Sequence, residues 1–224
     1  MPSNRKIVFA SGEYYHVFNR GVEKRLTFTN KHEFLRAIDS INFYRFGNLP
    51  IRYSKYLSLE KDKKAKFLEK LYQNSPHQIE ILAYCLMGNH FHFLLKQLMD
   101  SGVVKFLAKF TNSYTKYFNT KHNRVGPLFQ GVFKAVHVES DEQLLHLSRY
   151  IHLNPVMGFK IQAEELSSYQ WSSYPQYLGI TKTQLINPTE ILNFFKSSTE
   201  YEKFVLDQVD YAKKLKNIEH LLID

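Results

Sequence analysis

The chain has little of what braces a small secreted domain. It holds a single cysteine, Cys85, among 224 residues, so no internal disulfide can form, and the apolar run around that thiol points to core packing. Nor does any stretch reach the ~20 uninterrupted apolar residues that cross a bilayer. The opening MPSNRKIVFASGEYY lacks the apolar stretch and cleavage site of a secretory leader. A cytoplasmic location with no membrane partner is therefore expected. Acidic residues are scarce as well, 21 against 30 Lys and Arg, and none falls between Ser101 and Val138. The same stretch carries Lys105, Lys109, Lys116, Lys121, Arg124 and Lys134 interleaved with Phe and Tyr, a composition that suits a nucleic-acid surface. Charge taken alone fits a solvated face equally well.

What the chain does have is apolar and aromatic side chains, 44% and 15% of residues, which excludes disorder of the bulk. Its length suits one main domain, expected over residues 1–178, followed by a helical C-terminal extension over 179–224. Residues 14–20, YYHVFNR, read as a strand closed by Gly21, and helical spacing of Phe34, Leu35, Ile38 and Ile41 predicts a helix over 29–43. A lysine-rich helical excursion follows at 58–73. The runs IEILAYCLM (79–87) and HFHFLL (90–95), separated by the turn pair Gly88-Asn89, read as two antiparallel strands. Residues 102–119 form an amphipathic helix, and 124–138 a loop leading into a strand. A last core helix starts at the capping pair Ser140/Gln143 and is expected to stop near Leu153, before Pro155. The order β-α-β-β-α-β predicts an α+β, ferredoxin-like sandwich: an antiparallel sheet with helices on one face, plus the C-terminal helical tail.

Two patterns could carry chemistry. The two-residue period of a strand sends His90 and His92 to one face and Phe91 and Phe93 to the other. Two imidazoles make a metal platform that still needs a third protein ligand. Taken alone, such a pair in a chain of ten histidines is more often two surface residues. On the following helix, His146, Tyr150 and Asn154 recur every four residues as a polar stripe. Fifteen tyrosines leave composition unable to choose a reactive one.

Four stretches, YHVFNRG (15–21), CLMGNHFHFLLK (85–96), GPLFQGVFK (126–134) and RYIHLNP (149–155) with WSSY (171–174), resemble in order and spacing the single-tyrosine transposases of the HUH class. Within that class the chain resembles the repeat-associated (REP-associated) tyrosine transposases, and the resemblance covers roughly residues 14–178. It implies a metal-dependent enzyme that cleaves and rejoins single-stranded or hairpin DNA through a 5′-phosphotyrosine. It further implies Tyr150 as nucleophile, His90, His92 and Asn154 as ligands of magnesium or manganese, and action as a monomer or homodimer. The six basic residues named above would follow DNA phosphates, and His146 could assist deprotonation of the phenol. Gly88 stands where relatives often have Pro, Val132 where Arg is common, and VMGFK after Pro155 is one residue shorter, which bears on how Asn154 sits. The alternatives are a phosphodiesterase in which metal-bound water attacks, and a ferredoxin-like nucleic-acid-binding module without chemistry.

Overall fold

The computed structural model describes residues 7–209. Alternating side chains build a four-stranded sheet from β1 (Tyr14–Arg20), β2 (Ile79–Met87), β3 (His90–Gln97) and β4 (Lys134–Val138). The strands lie in the order β2-β3-β1-β4, with every neighbouring pair antiparallel. That is the ferredoxin-like order expected from the sequence. Helices α1 (Lys31–Tyr44) and α4 (Gly102–Lys121) pack on each other and cover one face of the sheet. Between them lies an excursion containing the short α2 (Tyr53–Leu57), which periodicity did not indicate, and α3 (Lys61–Asn74).

The covered face is made by the phenylalanines that strand alternation turned away from the histidines. The ring of Phe91 lies 5.5 Å from Phe110 and that of Phe93 lies 5.9 Å from Phe106, all four fully buried. Each such side chain contributes about 1.5–3 kcal/mol by leaving water. The excursion has a small core of its own, in which Phe43, Tyr53 and Tyr56 pack with Ile51, Phe67 and Leu68. Asp39 on α1 accepts hydrogen bonds from both tyrosine hydroxyls, at 2.7 and 3.1 Å, which fixes the excursion to the sandwich.

The opposite face of the sheet receives α5 (Asp141–Met157), so a third helix adds to the ferredoxin-like pair. Its start follows the expected cap, with Gln143 N donating to Ser140 Oγ at 3.2 Å. Its end does not follow expectation, because the helix runs through Pro155. A proline removes only its own N–H and crowds the preceding turn, a defect the final turn tolerates when the helix end is otherwise closed. Here Gly158 N donates to Asn154 O at 2.8 Å and Lys160 N to Pro155 O at 3.0 Å. Asn154 therefore keeps helical geometry, one turn beyond Tyr150.

Beyond α5 the chain folds back through α6 (Tyr174–Tyr177), α7 (Thr189–Leu192) and α8 (Ser198–Leu206). Tyr174, Tyr177, Ile191, Tyr201 and Val205 join the same buried cluster as the sheet. His152 of α5 is enclosed there, bonded through Nδ1 to Tyr201 Oη and through Nε2 to Ser173 Oγ, both at 2.7 Å. Glu190 on α7 accepts from Lys96 Nζ at 2.6 Å and from the hydroxyl of Tyr14, which ties this segment to the α5 side of the sheet. The part of the expected tail beyond residue 209 lies outside the described residues. No helix among the described residues is long and apolar enough to cross a membrane.

Candidate active site

Antiparallel register decides which side chains meet on the α5 face. Phe18 stands opposite His92, Arg20 opposite His90, and His16 opposite Leu94, so strand alternation puts His16, Phe18, His90 and His92 on one patch in the middle of the sheet. Helix α5 crosses this patch. The ring of Tyr150 lies 5.5 Å from that of His92 and 6.0 Å from that of His16, edge-on to both. Tyr150 is 39% exposed although its ring rests on the histidines. One turn later the Asn154 carboxamide oxygen lies 3.2 Å from His90 Nε2. The four residues drawn from two distant stretches of sequence thus converge.

A hydrogen-bond chain sets the state of His90. The carbonyl of Lys24 can only accept, so Asn89 Nδ2 donates to it at 3.1 Å and Asn89 Oδ1 must face His90 Nδ1, 2.6 Å away. His90 Nδ1 consequently carries a proton, and in the neutral ring Nε2 is a lone pair. The amide of Asn154 is oriented by the same logic, its Nδ2 donating to Tyr150 O at 3.3 Å and leaving Oδ1 towards His90. Two lone pairs then face each other across 3.2 Å. Without a proton between them this is repulsive; with a cation between them it is a pair of adjacent ligands, which sit ~3 Å apart when each bond is about 2.1 Å in an octahedral shell. Two imidazole nitrogens and a carboxamide oxygen are a neutral donor set that a divalent cation can accept. Among the described residues no group of three His, Cys, Asp or Glu could hold a metal.

His92 is held from behind. Its Nδ1 lies 2.9 Å from His16 Nε2, leaving Nε2 of His92 as the ring atom for a further partner. Burial disfavours the imidazolium form of both rings. It pushes His16 down to about 4 and His92 well below the usual histidine range, the latter aided by the nearby His16 and His90. Both rings are therefore neutral near pH 7, the state in which imidazole binds metal. Neither His16 nor Asn89 was singled out by sequence. The alternation of YYHVFNR does place His16 on the face of Phe18, but only pairing with β3 turns that face into the site.

The remaining expected residues are spread over the molecule. His146 meets Arg149 Nη2 through Nδ1 at 2.5 Å and faces Phe204 at 6.1 Å, whereas the imidazoles against the Tyr150 ring are those of His92 and His16. Lys134 stands opposite Phe18 on β4 and shares the site's face. Arg124 folds back on its own loop, donating to Asn119 Oδ1 at 2.5 Å and Pro127 O at 2.9 Å. Lys105 donates to Asp100 O at 3.1 Å beside the start of α4. Lys109, Lys116 and Lys121 line a cleft on the α1/α4 side, across the sheet from Tyr150.

Comparison with known proteins bears on this assembly. Among solved structures, a REP-associated tyrosine transposase bound to a REP hairpin superposes with a TM-score of 0.49 at 13% identity, covering 83% of this chain and 97% of that one. No curated protein matches. Residues 52–154 match the family model described as "Transposase IS200 like". The matched segment supplies His90, His92, the basic helix α4, Tyr150 and Asn154.

Proposed function

We propose that this protein is a single-tyrosine, metal-dependent transposase that cleaves and rejoins single-stranded or hairpin DNA. The observation that carries the reading is the patch itself: one exposed phenol resting on an imidazole pair, with a carboxamide one turn further on aimed at the remaining histidine. The chain has fifteen tyrosines, and Tyr150 is the one whose ring meets both His16 and His92 among the described residues.

His90, His92 and Asn154 would hold a magnesium or manganese ion, which when bound neutralises charge on the non-bridging oxygens of the scissile phosphate. Tyr150 attacks the phosphorus in line with the 3′ oxygen. The bond from phosphorus to the phenolic oxygen forms, the bond to the 3′ oxygen breaks, and the phenolic proton passes to solvent while the departing oxygen becomes a 3′-hydroxyl. The product is a 5′-phosphotyrosine that stores the bond energy, so a second 3′-hydroxyl can reverse the step without a nucleotide cofactor. Asn89 and His16 orient the rings of His90 and His92 for ligation. Lys134, on the same face, is available to a phosphate of the bound strand.

The test is incubation of the protein and of Tyr150→Phe with labelled hairpin and linear single strands plus manganese, read by denaturing electrophoresis. A protein–DNA adduct in wild type alone is expected. Cleavage by both proteins without an adduct would favour attack by water, and binding without cleavage would favour the inactive binding module.

A further inference from the structure

A cleft lies apart from the tyrosine site. It has a volume of about 1040 Å³ and lies between α1, the excursion around α2, and α4. Five cations line it, Arg36, Arg52, Lys109, Lys116 and Lys121, and among the described residues no carboxylate does. Two of the five are engaged. Lys121 donates to the buried Glu33 at 2.8 Å, and Arg36 lies between the rings of Tyr53 and Tyr117, 4.6 and 5.0 Å from their centroids. Arg52, Lys109 and Lys116 form no ion pair among the described residues, and all three are exposed. At the other end of the cleft Leu49, Pro50 and Ile51 make an apolar wall. The excursion creates this arrangement by carrying Arg52 and that wall against α4.

We infer that the cleft is a second DNA site, which holds an unpaired stretch of the substrate strand away from the scissile phosphate. This second site rests on the reading of the protein as an enzyme of single-stranded DNA and adds where a distal part of that strand lies. Three cations outside any ion pair among the described residues are matched by successive backbone phosphates. The apolar wall and Tyr117 offer a surface to a base, which only an unpaired strand can turn inwards. A duplex has its bases stacked and paired inside, so it would meet the rim with phosphates alone and leave the apolar end uncovered. Because the sheet separates this cleft from Tyr150, the strand must run around the domain to touch both.

The experiment measures binding of a labelled oligothymidine in EDTA by fluorescence anisotropy over a range of salt. The proteins are wild type, the triple variant Arg52→Ala/Lys109→Ala/Lys116→Ala, and the charge-matched control Lys61→Ala/Lys66→Ala/Lys70→Ala on the outer face of α3. Three single-strand phosphate contacts add about 2 to the slope of log K against log salt, which corresponds to about fiftyfold in affinity at ~0.15 M salt. The groove variant is expected to lose that slope and affinity and the control to lose little, while Arg52→Lys/Lys109→Arg/Lys116→Arg retains binding. Equal losses in groove variant and control, or an equal groove dependence for a blunt duplex of the same length, would overturn the inference. The adduct assay separates it from the reading beneath it. On a strand too short to reach the cleft, the groove variant is expected to form the Tyr150 adduct at the wild-type rate. Groove-dependent binding with no adduct in any protein would remove the transposase reading and leave the cleft standing.

Discussion

Replacing Asn89 by Ala should weaken metal binding although Asn89 is not itself one of the proposed ligands. The side chain does two things: it donates to Lys24 O at 3.1 Å and it accepts from His90 Nδ1 at 2.6 Å. Its backbone carbonyl accepts from Gly21 N at 2.8 Å, a bond that alanine keeps, so the β2-β3 turn stays tied to the end of β1. What alanine removes is the acceptor that reserves the His90 proton for Nδ1. The ring is then free to protonate Nε2, the atom that faces Asn154, and to rotate. Losing such an outer partner of a metal-bound histidine costs about 10–100-fold in affinity, or roughly 1.4–2.7 kcal/mol. Asn89→Asp keeps the acceptor for His90 Nδ1 but loses the donor to Lys24 O, so its affinity should fall between those of wild type and Asn89→Ala. Manganese titration followed by the electron paramagnetic resonance of the free ion reads this without DNA or turnover. Equal dissociation constants for wild type and Asn89→Ala would refute the role of Asn89 in fixing the tautomer of His90.

Two further outcomes concern stability. Burial pushes His152 down to about 3, so the unfolded chain, in which it titrates near ~6.5, binds the proton more readily. Stability from this group is complete above about pH 6.5 and is lost as pH falls towards the folded value; between pH 7 and 5 the loss is about 2 kcal/mol. Urea unfolding at the two pH values should show that loss in wild type and a shallower one in His152→Gln, and parallel pH dependences would contradict it. At the start of α4, a Cβ on Gly102 would come within 2.1 Å of Gln78 O, a backbone atom that cannot swing away. Gly102→Ala should therefore destabilise by about 1–3 kcal/mol, detected as a lower urea midpoint with unchanged slope; an unshifted midpoint would contradict so close an approach.

Much of the sandwich could be read in the sequence because its elements are locally consistent. The alternation of HFHFLL fixes which rings face α4 and which face α5, and the spacing of Phe106, Phe110 and Tyr114 fixes the buried side of α4. Periodicity two and periodicity four each gather a pair on one face, His90 with His92 and Tyr150 with Asn154, but it was the family resemblance that singled those pairs out. What joins the two pairs is tertiary. The choice of sheet face covered by α5 depends on packing across the fold, and no local pattern encodes it. His16 needed the β1-β3 register, and Asn89 read only as a turn residue because its bonds to Lys24 and His90 combine a distant carbonyl with a neighbouring ring. Pro155 misled in the opposite direction, since a helix breaker in a last turn with other donors near by costs too little to end the helix. The basic cleft was half visible: Lys109, Lys116 and Lys121 stood out, whereas Arg36 and Arg52 reach them only through the fold of the excursion.

The central claim is that Tyr150 becomes bonded to DNA. Trypsin cuts after Arg149 and Lys160, and the peptide between them, residues 150–160, contains Tyr150 as its one tyrosine. After reaction of the wild-type protein with a single-stranded hairpin and manganese, followed by nuclease and trypsin digestion, mass spectrometry of that peptide decides the matter. The expected product is the 150–160 peptide carrying a nucleotide through phosphate on its tyrosine; the nucleotide on a peptide with a different tyrosine, or cleaved DNA with every tyrosine unmodified, would contradict the claim.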